Sequence, residues 1–391
     1  MRFRHPDGTV VHLAYCANVP AATDLDDVLA QLTEHAEPVR RKLGLGVLGL
    51  GLWLSPPVAS ALVEEPRQLI RLRAELAARG LAVVTLNGAS YADLSAPTVK
   101  REAYAVDWSH PRRLAYTLTL VRCLARLLPD DVPRGSVSTL PVGWRRPWFP
   151  EHEQAAFRHL AALPVGLRQI AEDEGKPVRV GFEPGAGCVL ETTDDVVRLL
   201  DVVDREWIGI CLDTCHHSLT FEEPGEAVRR LDDAGLPVVK AQISGALSVP
   251  EPGSAAVRPA LRALAEPRFL HQVRERSVRG VRGVDDLDEA LDGRHRLPAR
   301  GAWRVHYHLP VHGGVEPPFE STVDVAAGAL RALLGNGRAG TDQIEIETYT
   351  WSLRPDPTAT PDPSTLVAGL AAELDWTRRQ LLGLGLVPLP A

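Results

Sequence analysis

The chain has 391 residues, a formal net charge of −7 and 45% hydrophobic residues, an ordinary globular composition with ample length for a large core. Mild acidity argues against a nucleic-acid surface as its main business, because a phosphate backbone calls for a clustered basic face. Five cysteines (Cys16, Cys123, Cys188, Cys211 and Cys215) are an odd number in a long, core-rich chain, which speaks against a disulfide framework. The N-terminus has no apolar signal region, and no apolar run reaches the ~18 residues that a membrane span needs. The cytoplasm is the expected location.

Taken in order, the chain alternates β-type runs with helical patterns. The run Thr9–Val19 is followed by a helical pattern over Asp24–Leu43, with Asp24 or Asp26 as cap. Leu45–Ser55 is an apolar, glycine-laced second strand, and Pro56–Arg79 reads as an amphipathic helix or a pair of helices. Leu81–Gly88 is a third strand with Asn87 at its tip. A long polar loop, Ala89–Trp108, leads to helix Pro111–Leu128, and Gly135–Gly143 is strand four. Helix Glu151–Glu174 precedes V-G-F-E at 180–183, strand five. Helix Thr193–Val203 precedes I-G-I-C-L-D at 208–213, strand six. Helix Glu223–Ala234 leads to Pro237–Ala246, strand seven.

The rhythm then breaks. Residues 248–300 are rich in proline and charge and read as an inserted lid or surface segment within a single domain, 1–391. Trp303–His312 is a ninth β-type run, expected as a strand added after the insertion rather than a barrel stave. Helix Ser321–Leu334, strand Gln343–Thr350 and a closing helix over 360–386 complete the chain. Strands alternating with helices point to a parallel α/β sheet, and neither a Rossmann nor a P-loop fingerprint is present. The expectation is a (β/α)8 TIM barrel with an insertion after strand seven.

Barrel enzymes carry their chemistry at the carboxyl ends of the strands. Glu183, Asp213, Gln242 and Glu347 fall at such ends, the first three about one βαβ repeat apart, roughly 30 residues. His216 and His217 lie just beyond Asp213. His306 and His308 share a strand face because side chains alternate with period two, and His312 follows. Taken alone, each acid has an ordinary explanation as a helix cap or ion-pair partner. Together, buried carboxylates facing one another repel unless a cation pairs them, and mixed Glu, Asp and His ligands suit a divalent metal. The sequence leaves open whether that metal is Mn, Zn, Mg, Fe, Co or Ni.

V-G-F-E-P-G-A-G, then C-L-D-T-C-H, then I-E-I-E-T resembles the xylose isomerase-like TIM-barrel superfamily of sugar isomerases, epimerases and endonuclease IV-type nucleases. The resemblance implies that Glu183, Asp213 and Glu347 are metal carboxylates on strands five, six and eight. It implies that His216 contacts substrate. A-Y-C-A-N-V, L-G-L-W-L-S, T-L-N-G, W-R-V-H-Y-H-L-P and E-I-E-T-Y-T-W extend the similarity to the EboE-type metabolite-traffic proteins, from about residue 9 to 355. Protein partners from the same biosynthetic or export pathway are implied with it.

Two departures stand out. The epimerases end strand seven in a histidine ligand where this chain has Gln242, so His308 is expected to enter the metal set instead. The early strand-tip histidines of the nucleases are replaced by Asn87 and Pro141. The expected function is therefore divalent-metal-dependent isomerisation or epimerisation of a small metabolite. Glu183, Glu347 and His216 are its catalytic groups. His216, Asn87, Gln242 and His306 are its substrate contacts, and Glu183, Asp213, Glu347 and His308 are its metal ligands. A non-catalytic metabolite hand-over protein and an endonuclease IV-like phosphodiesterase are the alternatives, and no nucleic-acid or membrane partner is expected.

Overall fold

The computed structural model describes residues 1–17, 22–91, 96–348 and 363–390. The far ends of the expected runs Thr9–Val19 and Gln343–Thr350, and the start of the 360–386 helix, lie outside the described residues.

The chain opens with β1 (Arg2–Arg4), paired antiparallel with β2 (Val10–Ala17) through a turn at Asp7–Gly8, where Gly8 takes φ 95°. β3 (Leu48–Trp53), β4 (Leu81–Gly88), β5 (Gly135–Thr139), β6 (Val178–Phe182), β7 (Ile208–Asp213) and β8 (Val238–Ile243) follow, each parallel to its predecessor. A later strand, Gln343–Ile346, pairs in parallel with both β8 and β2 and closes an eight-stranded barrel. The expected TIM barrel is the observed fold. Among the described residues no helix is long and apolar enough to cross a membrane.

Between β8 and that last stave lies a second, five-stranded antiparallel sheet. It contains β9 (Gly245–Val249), β10 (Val273–Ser277), β11 (Gly280–Val284), β12 (Trp303–Leu309) and β13 (Glu320–Ser321), in the order β11-β10-β12-β9-β13. The closing stave is therefore β14, and β15 (Val387–Pro388) pairs with β1. The ninth run, Trp303–His312, thus belongs to the second sheet. Its alternation has a clear consequence. Trp303, Val305 and Tyr307 point into a separate hydrophobic cluster with Leu247, Leu261 and Leu287. Arg304, His306 and His308 take the other face, toward the barrel. Arg304 anchors that face by donating to the Ser218 carbonyl at 2.5 Å and lying over the Phe221 ring.

Local chemistry explains where helices break. The Pro56–Arg79 pattern is two helices, Pro56–Glu64 and Pro66–Ala78, because Glu65 before proline is driven extended (φ −113°, ψ 94°). The Asp24–Leu43 pattern passes through a π turn, Leu32–Ala36, just before Pro38, which has no N–H to donate.

Beneath the mouth the barrel interior is polar. Lys240 on β8 and Glu345 on β14 are fully buried and paired at 2.5 Å. Asn87 on β4 donates to Glu345 Oε1 at 3.0 Å, while its Oδ1 accepts from Lys240, from Gln242 (3.0 Å) and from Ser138 (3.0 Å). Gly51 makes room for this plug, since a Cβ there would fall 1.5 Å from Glu345 Oε1. Removing one member of a buried ion pair leaves an uncompensated charge, at a cost of about 3–5 kcal/mol. Lys240→Met should therefore lower unfolding free energy by that order, and adding Glu345→Gln should recover most of it. Urea unfolding of the two single variants and the double variant measures both.

Candidate active site

Three carboxylates stand at the carboxyl ends of β6, β7 and β14, with β8 between the last two. Glu183 follows β6 and its N–H continues the ladder to the Thr139 carbonyl at 2.9 Å. Asp213 ends β7 and caps the short helix Thr214–Leu219, its Oδ1 accepting from His216 N at 2.8 Å. Glu347 follows β14, its N–H reaching the Ile243 carbonyl at 3.2 Å. Backbone pairing thus fixes all three, and one ligand oxygen from each lies within 4.8 Å of the others. All three side chains are buried. Glu183 Oε2, Asp213 Oδ2 and Glu347 Oε2 accept no hydrogen bond among the described residues.

Buried acids without donors resist ionisation. Burial pushes the Glu183 carboxyl up to about 7, with His216 pulling it back and Asp213 pushing it further. Burial, then Glu183 and Asp213, hold Glu347 well above the usual carboxylate range. One layer down, burial works against a charged Lys240, but the Glu345 carboxylate beside it, together with Cys211 and Glu347, outweighs this and keeps it protonated.

The histidines crowd the same mouth. His216 places Nδ1 3.2 Å from the Pro184 carbonyl and 3.4 Å from Glu183 Oε1. His308 places Nδ1 3.1 Å from Ser244 Oγ, 3.2 Å from the Glu347 carbonyl and 3.8 Å from Asp213 Oδ2. His306 bonds Gln272 Oε1 at 2.5 Å through Nδ1. Burial is the main reason His308 is pushed down to about 4 and His306 well below the imidazole range. His217 is buried in the short helix, with its imidazole likewise lowered to about 4 by burial.

Of the residues singled out from sequence, Glu183, Asp213, Glu347, His216, His306 and His308 come together. Asn87 and Gln242 instead sit one layer lower. Gln242 is 0% exposed, its amide held by Asn87 and its Oε1 accepting from the Cys211 thiol at 2.8 Å. Lys240, Gln242 and Ser244 alternate inward along and just beyond β8, so the strand-seven residue at mouth level is Ser244. Sequence reading also missed Gln272, Lys240 and Glu345. Counting inward positions by twos from Gln242 and Glu347 points to Ser244, Lys240 and Glu345, whereas nothing local marks Gln272. All five cysteines are free and buried.

The sequence profile of the xylose isomerase-like TIM barrel family matches residues 41–297. No curated protein matches the chain by sequence. Among solved structures, a D-tagatose 3-epimerase-like protein superposes over 96% of this chain and 98% of its own, with TM-score 0.51 and 12% identity. An L-ribulose 3-epimerase does so over 96% and 95%, with TM-score 0.51 and 13% identity. A candidate sugar phosphate isomerase/epimerase from Anabaena variabilis covers 96% and 99%, with TM-score 0.50 and 14% identity. At such identities the likeness is one of fold.

The raised carboxyl at Glu183 sets a pH dependence for the metal-free protein. Folding favours its protonated form, so this contribution is complete below the ordinary value of 4.5 and is lost as pH climbs to about 7. Over that window the wild type should lose roughly 3 kcal/mol relative to Glu183→Gln, at about 1.4 kcal/mol per pKa unit. Urea midpoints of the two proteins in chelator, from pH 4.5 to 8, check it.

Proposed function

The chain belongs to the xylose isomerase-like TIM-barrel family, and from that premise we propose a divalent-metal-dependent, sugar isomerase- or epimerase-like enzyme that moves a proton on a small polyhydroxylated metabolite. The observation that carries this reading is the carboxylate triad, with one buried oxygen of each acid left without a hydrogen-bond donor. Such a donor set fits a cation, since oxygen-rich sites suit Mg or Mn and nearby imidazole admits Zn, Fe, Co or Ni. Glu183, Asp213 and Glu347 would hold it, with His308 at Asp213's side, and when bound it supplies a Lewis acid for a substrate oxygen.

The chain's own residues divide the remaining work. Glu183 and Glu347 face each other across the mouth, so one can take a proton from a substrate carbon and the other return it. Burial raises both carboxyls above the usual carboxylate range, the direction that a proton-carrying acid needs. His216 holds a substrate hydroxyl beside Glu183, from which its Nδ1 is 3.4 Å away, and His306 extends that polar wall. The finer likeness to the EboE-type metabolite-traffic proteins supports placing the reaction in a cytoplasmic pathway that makes or exports a small-molecule precursor. Five free, buried thiols fit a reducing compartment.

The test is solvent-deuterium incorporation into a panel of ketopentoses and ketohexoses by metal-loaded protein, with bound metal measured alongside. Glu183→Gln and Glu347→Gln should each lose the cation held by the carboxylates and lower exchange by about 10²–10⁴-fold. Unchanged metal content and unchanged exchange in both variants would sink the proposal. Metal binding with no exchange on any sugar would leave a metabolite-binding protein in its place.

A further inference from the structure

The second sheet ends in a free edge. β11 is the outermost strand of the order β11-β10-β12-β9-β13, and among the described residues it pairs with β10 alone. The hairpin of β10 and β11 is firmly rooted. Val273 and Val284 lie opposite one another inside the second hydrophobic cluster. Arg274 donates to Glu191 at 2.5 Å and to the Val284 carbonyl at 3.1 Å. Beyond this root, residues 278–283 are exposed. Val278 (105% exposed) and Val281 (44%) are among them, so two apolar side chains stand in solvent beside an unpaired edge.

Hydrogen-bond alternation tells which backbone groups face that edge. Arg276 donates its N–H to the Ala302 carbonyl, just ahead of β12, at 3.0 Å. Its backbone therefore turns away from β11, and Val281, directly opposite it, turns away from β10. Gly283, opposite Arg274, has the same phase. The N–H and C=O of both residues are left as unpaired groups at the spacing of an extended chain. The charge around them is one-sided. An open groove of about 790 Å3 lies between the hairpin tip and residues 298–301, lined by Arg276, Arg279, Arg282 and Arg300. The acid that lines it, Glu275, is 1% exposed and already satisfied. Its Oε1 accepts from the Arg300 and Gly301 N–H groups at 2.8 and 3.0 Å, and its Oε2 from that of Ala299 at 3.2 Å. All four arginines are exposed, and none has a carboxylate partner among the described residues. In a chain of net charge −7 this is a local excess of the opposite sign.

We propose that β11 is a docking edge for an acidic, extended segment of a partner protein, which adds to the five-stranded sheet as a sixth strand. Strand addition draws affinity from main-chain bonds and specificity from alternate side chains. Here Val281 and Gly283 supply the main-chain groups, Val278 and Val281 the apolar contact, and the arginines the preference for acid. Arginine suits carboxylates because its planar fork meets both oxygens at once. Charge on an edge strand commonly serves to keep other strands away. Two exposed valines on the same hairpin work against that use, and a groove of unpaired arginines repels only basic strands. A phosphodiester backbone brings acceptors alone and leaves the Val281 and Gly283 carbonyls unmet. A second copy of this chain, paired edge to edge about a two-fold axis, would set the same arginines against one another.

The probe is a fluorescein-labelled decapeptide of alternating valine and glutamate, with its valine–lysine counterpart as control. Binding is followed by fluorescence anisotropy to the full-length wild type, to Val281→Pro and to the double variant Arg279→Glu/Arg282→Glu. Proline at 281 removes an N–H that faces the free edge and no bond of the hairpin itself. The acidic peptide should bind the wild type and weaken about tenfold in each variant. The Val281 and Gly283 amides should exchange readily with D2O in the free protein and become protected when the peptide is bound. Equal binding to wild type and Val281→Pro, or bound peptide that leaves both amides unprotected, would overturn strand addition. Equal binding of the valine–lysine counterpart would overturn the acidic partner. No binding of the acidic peptide would overturn the proposal, and binding of phosphatidylserine vesicles or single-stranded DNA in its place would reassign the groove to those anions. Should Val281→Pro fail to fold, amide exchange on the wild type decides alone.

Discussion

The barrel mouth is governed by one electrostatic constraint: three carboxylates are buried within reach of one another, and each keeps an oxygen that no donor among the described residues meets. Backbone register imposes this crowding, because Glu183, Asp213 and Glu347 stand at or just beyond the ends of β6, β7 and β14 and cannot relax apart without breaking ladder bonds. Among the described residues, only histidines come within ion-pairing distance of these acids. One layer below, the same barrel answers a buried glutamate with an internal cation, the Lys240–Glu345 pair. The contrast separates the two layers by purpose. The lower one is self-compensated, and the upper one is left short of positive charge.

The second sheet is joined to this chemistry by strand alternation. One face of β12 buries Trp303, Val305 and Tyr307 in its own hydrophobic cluster, and the other delivers His306 and His308 to the mouth. Arg304, on the delivering face, is tied to the helix that Asp213 caps. The excursion between staves seven and eight therefore fills the place where β8 itself offers only Ser244. His308 reaches mouth level from outside the barrel, with its ring held by Ser244 and the Glu347 carbonyl.

Much of this was legible in one dimension. Apolar runs ending in Glu183 and Asp213 at a βαβ spacing mark parallel staves, and the Pro66 break inside an amphipathic pattern follows from sterics at the preceding residue. Asp7–Gly8 is itself a local hairpin signal for β1. The inward phase of strand seven is not legible in sequence, because a continuous apolar run carries no mark of where the strand leaves the barrel. Gln242 looks like a strand tip in sequence. In the fold it is a plug residue bonded to Asn87, and the tip is Ser244.

By itself the sequence determined the barrel, the order of its staves and the identity of the three mouth carboxylates, because periodicity and strand-end placement are local properties of the chain. Only the tertiary structure decided what those groups meet. The turn of β12 that brings His306 and His308 to His216, the pairing of Lys240 with Glu345, and the choice of which imidazole edge faces the carboxylates all depend on contacts between residues scores of positions apart. Alternation along a strand tells which side chains share a face, but the partner of that face is set by how two separate hydrophobic clusters pack against each other.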